Sequence, residues 1–401
     1  MFFRKRPPRV DMPRLVVEGA KLQASKAQNT VKLPTYKTPE KVKHNVLLAT
    51  SSSDDSFGTK IEHRLKESGH TVDVIVPNTS HVFTKITPQK HYDIVINAVH
   101  PVIYDFTPDT EPLMPSFNLY KSGPLRASDK LFKSFLDVLG AVKPKAFLQH
   151  SHTISRRLTE KDNSIFDRDR LAIEASKKLG CEILILRFGM MYSATNQLTQ
   201  ALMQGLLKSR VCIVGDGSNT VSIVHEHDAV RAVESACQLI YNQCIQIEQD
   251  KKQNKPKILP SYLKHVEVFR NQMEGKLLYG YDIVDNVPMT QAEFLLTLAR
   301  NFDAPRDPIF GRTIGARLLM SRHMVDFLES EMRGCNLEFQ EACDWRPKYR
   351  NIDEGLEQVA QEWKDSGWLD SIRKQSQQPP ASRGLLDKLL TSWRGTKAAQ
   401  S

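Results

Sequence analysis

The chain has no run of 18 apolar residues, so no stretch of it has the length and hydropathy expected of a membrane-crossing helix. Its six cysteines (Cys181, Cys212, Cys237, Cys244, Cys335 and Cys343) include no C-x-x-C pair. No secretory apolar segment stands near the N-terminus, so these cysteines read as reduced thiols in a reducing compartment. A basic body is missing as well, although the net charge is +10. Residues 1–50 hold 11 Lys/Arg against 3 Asp/Glu, and residues 374–401 hold 5 against 1. The remainder, 51–373, carries 40 basic and 42 acidic residues. A nucleic-acid-binding face puts its positive charge on the folded domain, so this partition argues against nucleic acid as a partner.

What is present is ordinary globular material. Of 401 residues, 40% are hydrophobic and 25% charged, enough for one large α/β domain or two modest ones. Residues 1–43 are basic and Pro-containing and show no sustained period. Met1 to Arg6, with Arg9 and Arg14, would suit a mitochondrial transit peptide, whereas Pro7, Pro8, Asp11 and Glu18 suit a solvated cytoplasmic tail. From His44 the pattern becomes regular. Strands are expected at Asn45–Ala49, Val72–Val76, Asp93–Ala98, Ala146–Gln149 and Glu182–Arg187, and helices at Phe57–Ser68, Ser128–Leu139 and Arg168–Leu179. Alternating apolar strands and amphipathic helices predict a doubly wound parallel sheet. Residues 242–278 read as a charged excursion with a solvated loop at Lys251–Lys257. Beyond Trp368 a Gln/Pro/Ser-rich linker precedes Leu385, Leu386, Leu389, Leu390 and Trp393, an amphipathic stretch suited to docking on this domain, a partner or a membrane surface.

Four segments in order carry a resemblance. Val211–Asn219 followed by Ser222–Ala229 reads "v-G-d-G-s-n … v-h-v-x-D-a", and Tyr281–Thr290 with Glu293 reads "y-n-i-g-d-g-e-p-v-T-x-x-E". Asp344-Trp345-Arg346-Pro347 and Ile352–Trp363 complete the series. Together they resemble the extended short-chain dehydrogenase/reductase family, NAD-dependent epimerases and dehydratases among them, in a degenerate form. The resemblance implies an α/β, NAD(P)-binding Rossmann-type fold with a small C-terminal α/β substrate-type subdomain. The Rossmann core would comprise mainly 44–195, 223–240 and 279–285, within a domain of 44–373. The subdomain would comprise 196–222 and 286–373, leaving 374–401 as a basic tail.

The family's dinucleotide loop is G-x-x-G-x-x-G, because the backbone must turn tightly and approach a pyrophosphate at a helix N-terminus. Counting back from Gly69-His70 places the three glycines at Ser52, Asp55 and Gly58, so only the last survives. A carboxylate facing a pyrophosphate opposes binding, whereas Ser51–Ser56 suits a helix cap. The strand end at Val76 leads into Pro77-Asn78-Thr79, with no charge for a ribose or a 2′-phosphate. Asn97-Ala98 keeps the polar-then-small pattern that borders the adenosine in this family.

The resemblance also implies a Tyr-x-x-x-Lys acid–base pair with a Ser or Thr on the substrate oxygen. Here the tyrosine position falls on Phe166 and the lysine position on Arg170, and Ser151 or Thr153 fills the hydroxyl position. Tyr192, on a loop that lines the family's cleft, is the tyrosine available as a replacement. The pairs His150/His152 and His225/His227 raise a zinc site, but no third ligand is evident beside the first pair, and the resemblance makes the His225 and Asp228 positions structural. Two functions follow. One is a non-catalytic or weakly nucleotide-binding scaffold or accessory subunit, tied to a complex by its tails; the nucleotide-binding accessory subunit of mitochondrial respiratory complex I is similar in architecture. The other is an active NAD(P)-dependent oxidoreductase, epimerase or dehydratase with an atypical site. A homodimer through the Arg168–Leu179 helix is an expectation of the resemblance.

Overall fold

A computed structural model describes residues 42–52, 55–77, 90–99, 123–153, 164–209, 211–253, 280–311, 329, 331–343 and 345–377. The body begins at Lys43. Its sheet strands are β1 (Asn45–Ala49), β2 (Thr71–Ile75), β3 (Ile94–Asn97), β4 (Ala146–His152) and β5 (Glu182–Phe188). The helices between them are α1 (Ser56–Glu67), α2 (Gly123–Val142) and α3 (Ser164–Leu179). After β5 come β6 (Met190–Tyr192), α4 (Gln197–Leu207), β7 (Cys212–Val214), β8 (Thr220–Val221) and β9 (Ile223–His225). The chain continues with α5 (Glu226–Lys252), β10 (Gly280–Ile283), β11 (Met289–Thr290), α6 (Gln291–Asn301) and β12 (Ile309–Gly311). It closes with α7 (Leu337–Cys343), α8 (Ile352–Asp365) and α9 (Trp368–Gln377).

Six strands form one sheet in the order β10-β5-β4-β3-β1-β2, and every neighbouring pair is parallel. Successive strand side chains point to opposite faces, and here both faces are covered, which is why the strands read as continuous apolar runs. On one face Val46, Leu48, Ile94, Ile96 and Leu148 meet Phe57, Ile61 and Leu65 of α1 and Val233, Ala236 and Ile240 of α5. On the other, Leu47, Val95 and Phe147 meet Phe132, Phe135, Val138 and Leu139 of α2 and Ala172 of α3. A third core joins α4, α6 and α8 through Leu202, Leu206, Phe294, Leu298, Leu356 and Trp363.

The strand order reverses between β1 and β3, so their C-terminal ends, at Ala49 and Asn97, border the crevice in which open α/β sheets bind ligands. Among the described residues β2 is the edge on that side, and residues 76–93 alone separate it from β3. The doubly wound sheet and its strand positions agree with the sequence. One expectation is corrected: residues 242–252 are no excursion but the second half of a 27-residue helix. Cys237, Ile240 and Cys244 recur at helical spacing and stay buried, which carries the helix past the charged residues. Residues 254–279, both tails as far as Lys41 and from Gln378, and the Leu385–Trp393 stretch lie outside the described residues.

Candidate functional site

The loop after β1 is closed by the chain's own carboxylate. Asp55 is the N-cap of α1, with extended backbone at φ −68° and ψ 106°. Its Oδ1 accepts the N–H groups of Phe57 at 3.1 Å and Gly58 at 3.2 Å, and its Oδ2 accepts that of Ser51 at 3.1 Å. These are helix-terminal donors of the kind that an anion takes at a helix N-terminus, where the partial positive charge of the peptide dipoles concentrates. Ser52 is exposed and its carbonyl accepts the Asp55 N–H at 3.4 Å, which tightens the turn. Gly58 serves packing. A Cβ there would lie 2.4 Å from Thr50 Cγ2, so only glycine lets α1 lie this close to the end of β1.

A second carboxylate stands beside the same helix end. Glu226, the first residue of α5, is 1% exposed. It accepts the hydroxyls of Ser56 at 3.1 Å, Thr195 at 3.3 Å and Ser193, and it pairs with Lys60 Nζ at 2.6 Å. Lys60 also donates to Thr195 Oγ1 at 2.7 Å. The first turn of α1, the loop after β6 and the start of α5 are thus bound to one another through a buried anion.

Asn97 and Ala98 are 1% and 2% exposed. The Asn97 amide donates to Gln149 Oε1 at 2.9 Å and its carbonyl accepts Val99 N–H at 3.2 Å, so this side chain braces the ends of β3 and β4.

At the end of β4 the polar run His150-Ser151-His152-Thr153 is wholly buried. Ser151 Oγ donates to Asp169 Oδ2 at 2.8 Å, and Arg187 Nε lies 3.8 Å from the same oxygen. His150 packs edge-on against Phe57 and Phe188. The side chain that α3 turns toward Ser151 is therefore Asp169. Arg170, its neighbour, points outward and pairs with Glu174 at 2.9 Å, both of them more than half exposed. Phe166 lies on α3, and its side chain falls outside the described residues. Thr153 is 1% exposed and its hydroxyl has no partner among the described residues.

Tyr192 lies in the interior, in β6, and not on a cleft-lining loop. It is 1% exposed, and its hydroxyl donates to Asp285 Oδ2 at 3.3 Å. Burial and the Asp285 charge push its pKa far above the ordinary tyrosine value, which removes it from proton shuttling near neutrality. Its ring packs so tightly on α8 that a Cβ at Gly355 would meet Tyr192 Oη at 2.1 Å. Asp285 is pushed well above the carboxylate range by burial first and then by Asp228.

Asp228, 0% exposed, accepts the N–H groups of Lys348 at 2.9 Å and Tyr349 at 3.0 Å, and Arg231 at 3.0 Å. Trp345 Nε1 donates to the Asp228 carbonyl at 3.3 Å. Two of the motif segments therefore meet as a clasp, and a third forms a capping box, Thr290 and Glu293 exchanging bonds at the start of α6. His225 sits between Tyr192 and Tyr349, and burial holds its pKa down at about 4. No group of three or more His, Cys, Asp or Glu placed to hold a metal ion occurs among the described residues. Sequence reasoning missed Glu226, Lys60, Asp169 and Arg187 as site residues. Glu226 falls at the second v of "v-h-v-x-D-a", where the pattern carries an apolar residue, and Asp169 stands one residue from the position counted as the lysine.

No family model matches the chain, and no curated protein matches it. Solved structures do. The UDP-glucose 4-epimerase of Thermotoga maritima, solved with UDP-glucose, is 12% identical at a TM-score of 0.51, over 80% of this chain and 99% of that one. Human epimerase family protein SDR39U1, solved with NADPH, is 12% identical at 0.51, over 79% and 99%. MoeE5, solved with UDP-glucose and NAD, is 12% identical at 0.52, over 81% and 99%. The six-stranded parallel sheet, its flanking helices and this breadth of overlap give the chain the Rossmann-type fold of these epimerase structures.

Proposed function

We propose that this chain is a non-catalytic protein of that fold, used as a scaffold or accessory subunit, in which NAD(P) binding is weak or lost. The observation that carries the reading is the Asp55 carboxylate on the N–H groups of Ser51, Phe57 and Gly58. A pyrophosphate placed there meets a like charge instead of free donors. At about 4 Å and an effective dielectric near 20, one such pair repels by about 4 kcal/mol, roughly half the free energy of a micromolar complex. The catalytic end supports the same reading: Arg170 faces solvent, and Tyr192 is buried against Asp285. A scaffold role gives the basic tails, outside the described residues, the task of reaching a protein complex. The Arg-rich N-terminus supports a mitochondrial address over a cytoplasmic one.

The neighbours solved with NADPH or NAD set the test. Purified full-length chain is melted with increasing NADH and NADPH. The expected result is an unchanged melting temperature with either cofactor. A ligand in hundredfold excess over its Kd adds about 2.7 kcal/mol of stability, a shift of several degrees. Such a shift, together with hydride transfer to a carbonyl substrate, would overturn the proposal in favour of an active oxidoreductase, epimerase or dehydratase.

A further inference from the structure

Residues 331–336 run from the flanks of β8 to the C-terminal end of β10, stitched down at each step. Met332 bonds on both sides of β8, its N–H to Thr220 O at 2.8 Å and its carbonyl from Ser222 N–H at 3.0 Å. Gly334 N–H donates to Ser222 Oγ at 2.8 Å, and Cys335 N–H to Asp282 Oδ2 at 3.0 Å. The Asn336 amide then donates to Val284 O at 2.6 Å and Asn286 Oδ1 at 3.0 Å. At the centre of this strap Gly334 presses on the end of the sheet. A Cβ there would lie 2.9 Å from Val284 Cγ1, 3.1 Å from Thr153 Cγ2 and 3.3 Å from Asp282 Cβ.

Thr153 is the residue beneath. It is 1% exposed, at the end of β4, and its hydroxyl has no partner among the described residues. A buried hydroxyl without a partner is a standing cost to the closed form, and it is relieved when water or a ligand oxygen reaches it. The two central fastenings, Ser222 Oγ and Asp282 Oδ2, are side chains, whereas Met332 and Asn336 are held at either end by backbone of Thr220, Ser222 and Val284, so the centre of the strap can lift between two anchored ends.

We propose that residues 331–336 form a strap whose centre, at Gly334 and Cys335, opens separately between its anchored ends and seals Thr153 and the hydroxyl-bearing end of β4. Its seating depends on glycine at 334 and on the Ser222 hydroxyl. It is a conformational device of this chain, and it stands whether or not a nucleotide binds.

The test places a reporter under the strap. In the full chain with the exposed Cys335 changed to serine, Thr153→Cys is introduced and its reaction with a thiol reagent is followed by peptide mass spectrometry. Cys237, 0% exposed in the central core, reports global unfolding in the same sample. The expected result is that Cys at 153 is protected and that Ser222→Ala or Gly334→Val speeds its labelling by about tenfold while Cys237 stays protected, as loss of one or two local bonds implies. Hydrogen exchange at Gly334 and Cys335 should accelerate by the same factor. Labelling at 153 that is fast in the parent, that ignores both substitutions, or that rises only in step with Cys237 would overturn the proposal.

Discussion

Gly58, in the first turn of α1, and Asp55, its N-cap, stand three residues apart and are fixed by different forces. The glycine is held by packing, since Thr50 Cγ2 occupies the space of any side chain. The Asp55 position carries no such constraint, and a carboxylate there caps α1. The contrast predicts opposite signs for two similar substitutions. Gly58→Ala should destabilise by about 1–3 kcal/mol through overpacking. Gly140→Ala, in α2 with nothing within 4 Å of the added Cβ, should stabilise by about 0.5–1 kcal/mol through helix propensity. Urea midpoints at constant m-value measure both.

At the scale of elements, the β9–α5 junction holds the C-terminal segment to the sheet, and its chemistry makes it acid-sensitive. His225 is buried there with its pKa lowered from 6.5 to about 4 by burial, and His44, stacked between His70 and Tyr241, is lowered to about 4 for the same leading reason. Each imidazole takes up a proton less readily folded than unfolded. Its contribution to stability is therefore complete above about pH 6.5 and is lost as pH falls through about 4. The melting temperature should fall steadily between pH 6.5 and 4, and His225→Gln should reduce that slope by the share of one proton. A flat profile over this window would show that neither ring is held neutral by the fold.

The same junction shows what could be read in advance. The Asp55 cap and the Thr290/Glu293 capping box join residues three positions apart, so sequence spacing alone exposes them. The strands were legible because both sheet faces are buried. The Asp228 clasp joins positions 120 and 121 residues apart, and the Tyr192–Asp285 bond spans 93. A tyrosine near a cleft-lining loop and a tyrosine sealed in the core look the same in sequence, and only the tertiary packing of α8 against β6 separates them. The end of α5 differs from the sequence expectation for a related reason: its charged residues are visible in sequence, whereas the burial of Cys244 ahead of them is not.

For the molecule as a whole, a Rossmann-type sheet with its strand-order reversal and a further core around α4, α6 and α8 are present. Asp55 and Glu226 supply negative charge beside the first helix, and Gly334 lies so close to Thr153 that an added Cβ would stand 3.1 Å from its Cγ2. In the proposed function the Asp55 carboxylate sits where a phosphate group would sit. The most direct measurement is the melting temperature of wild-type chain and of Asp55→Gly in increasing inorganic pyrophosphate at low ionic strength, where exposed charges are least screened. No stabilisation of the wild type is expected, and a concentration-dependent rise in the variant, whose freed N–H groups at Phe57 and Gly58 donate to the anion. Equal stabilisation of both proteins, or none of the variant, would contradict it.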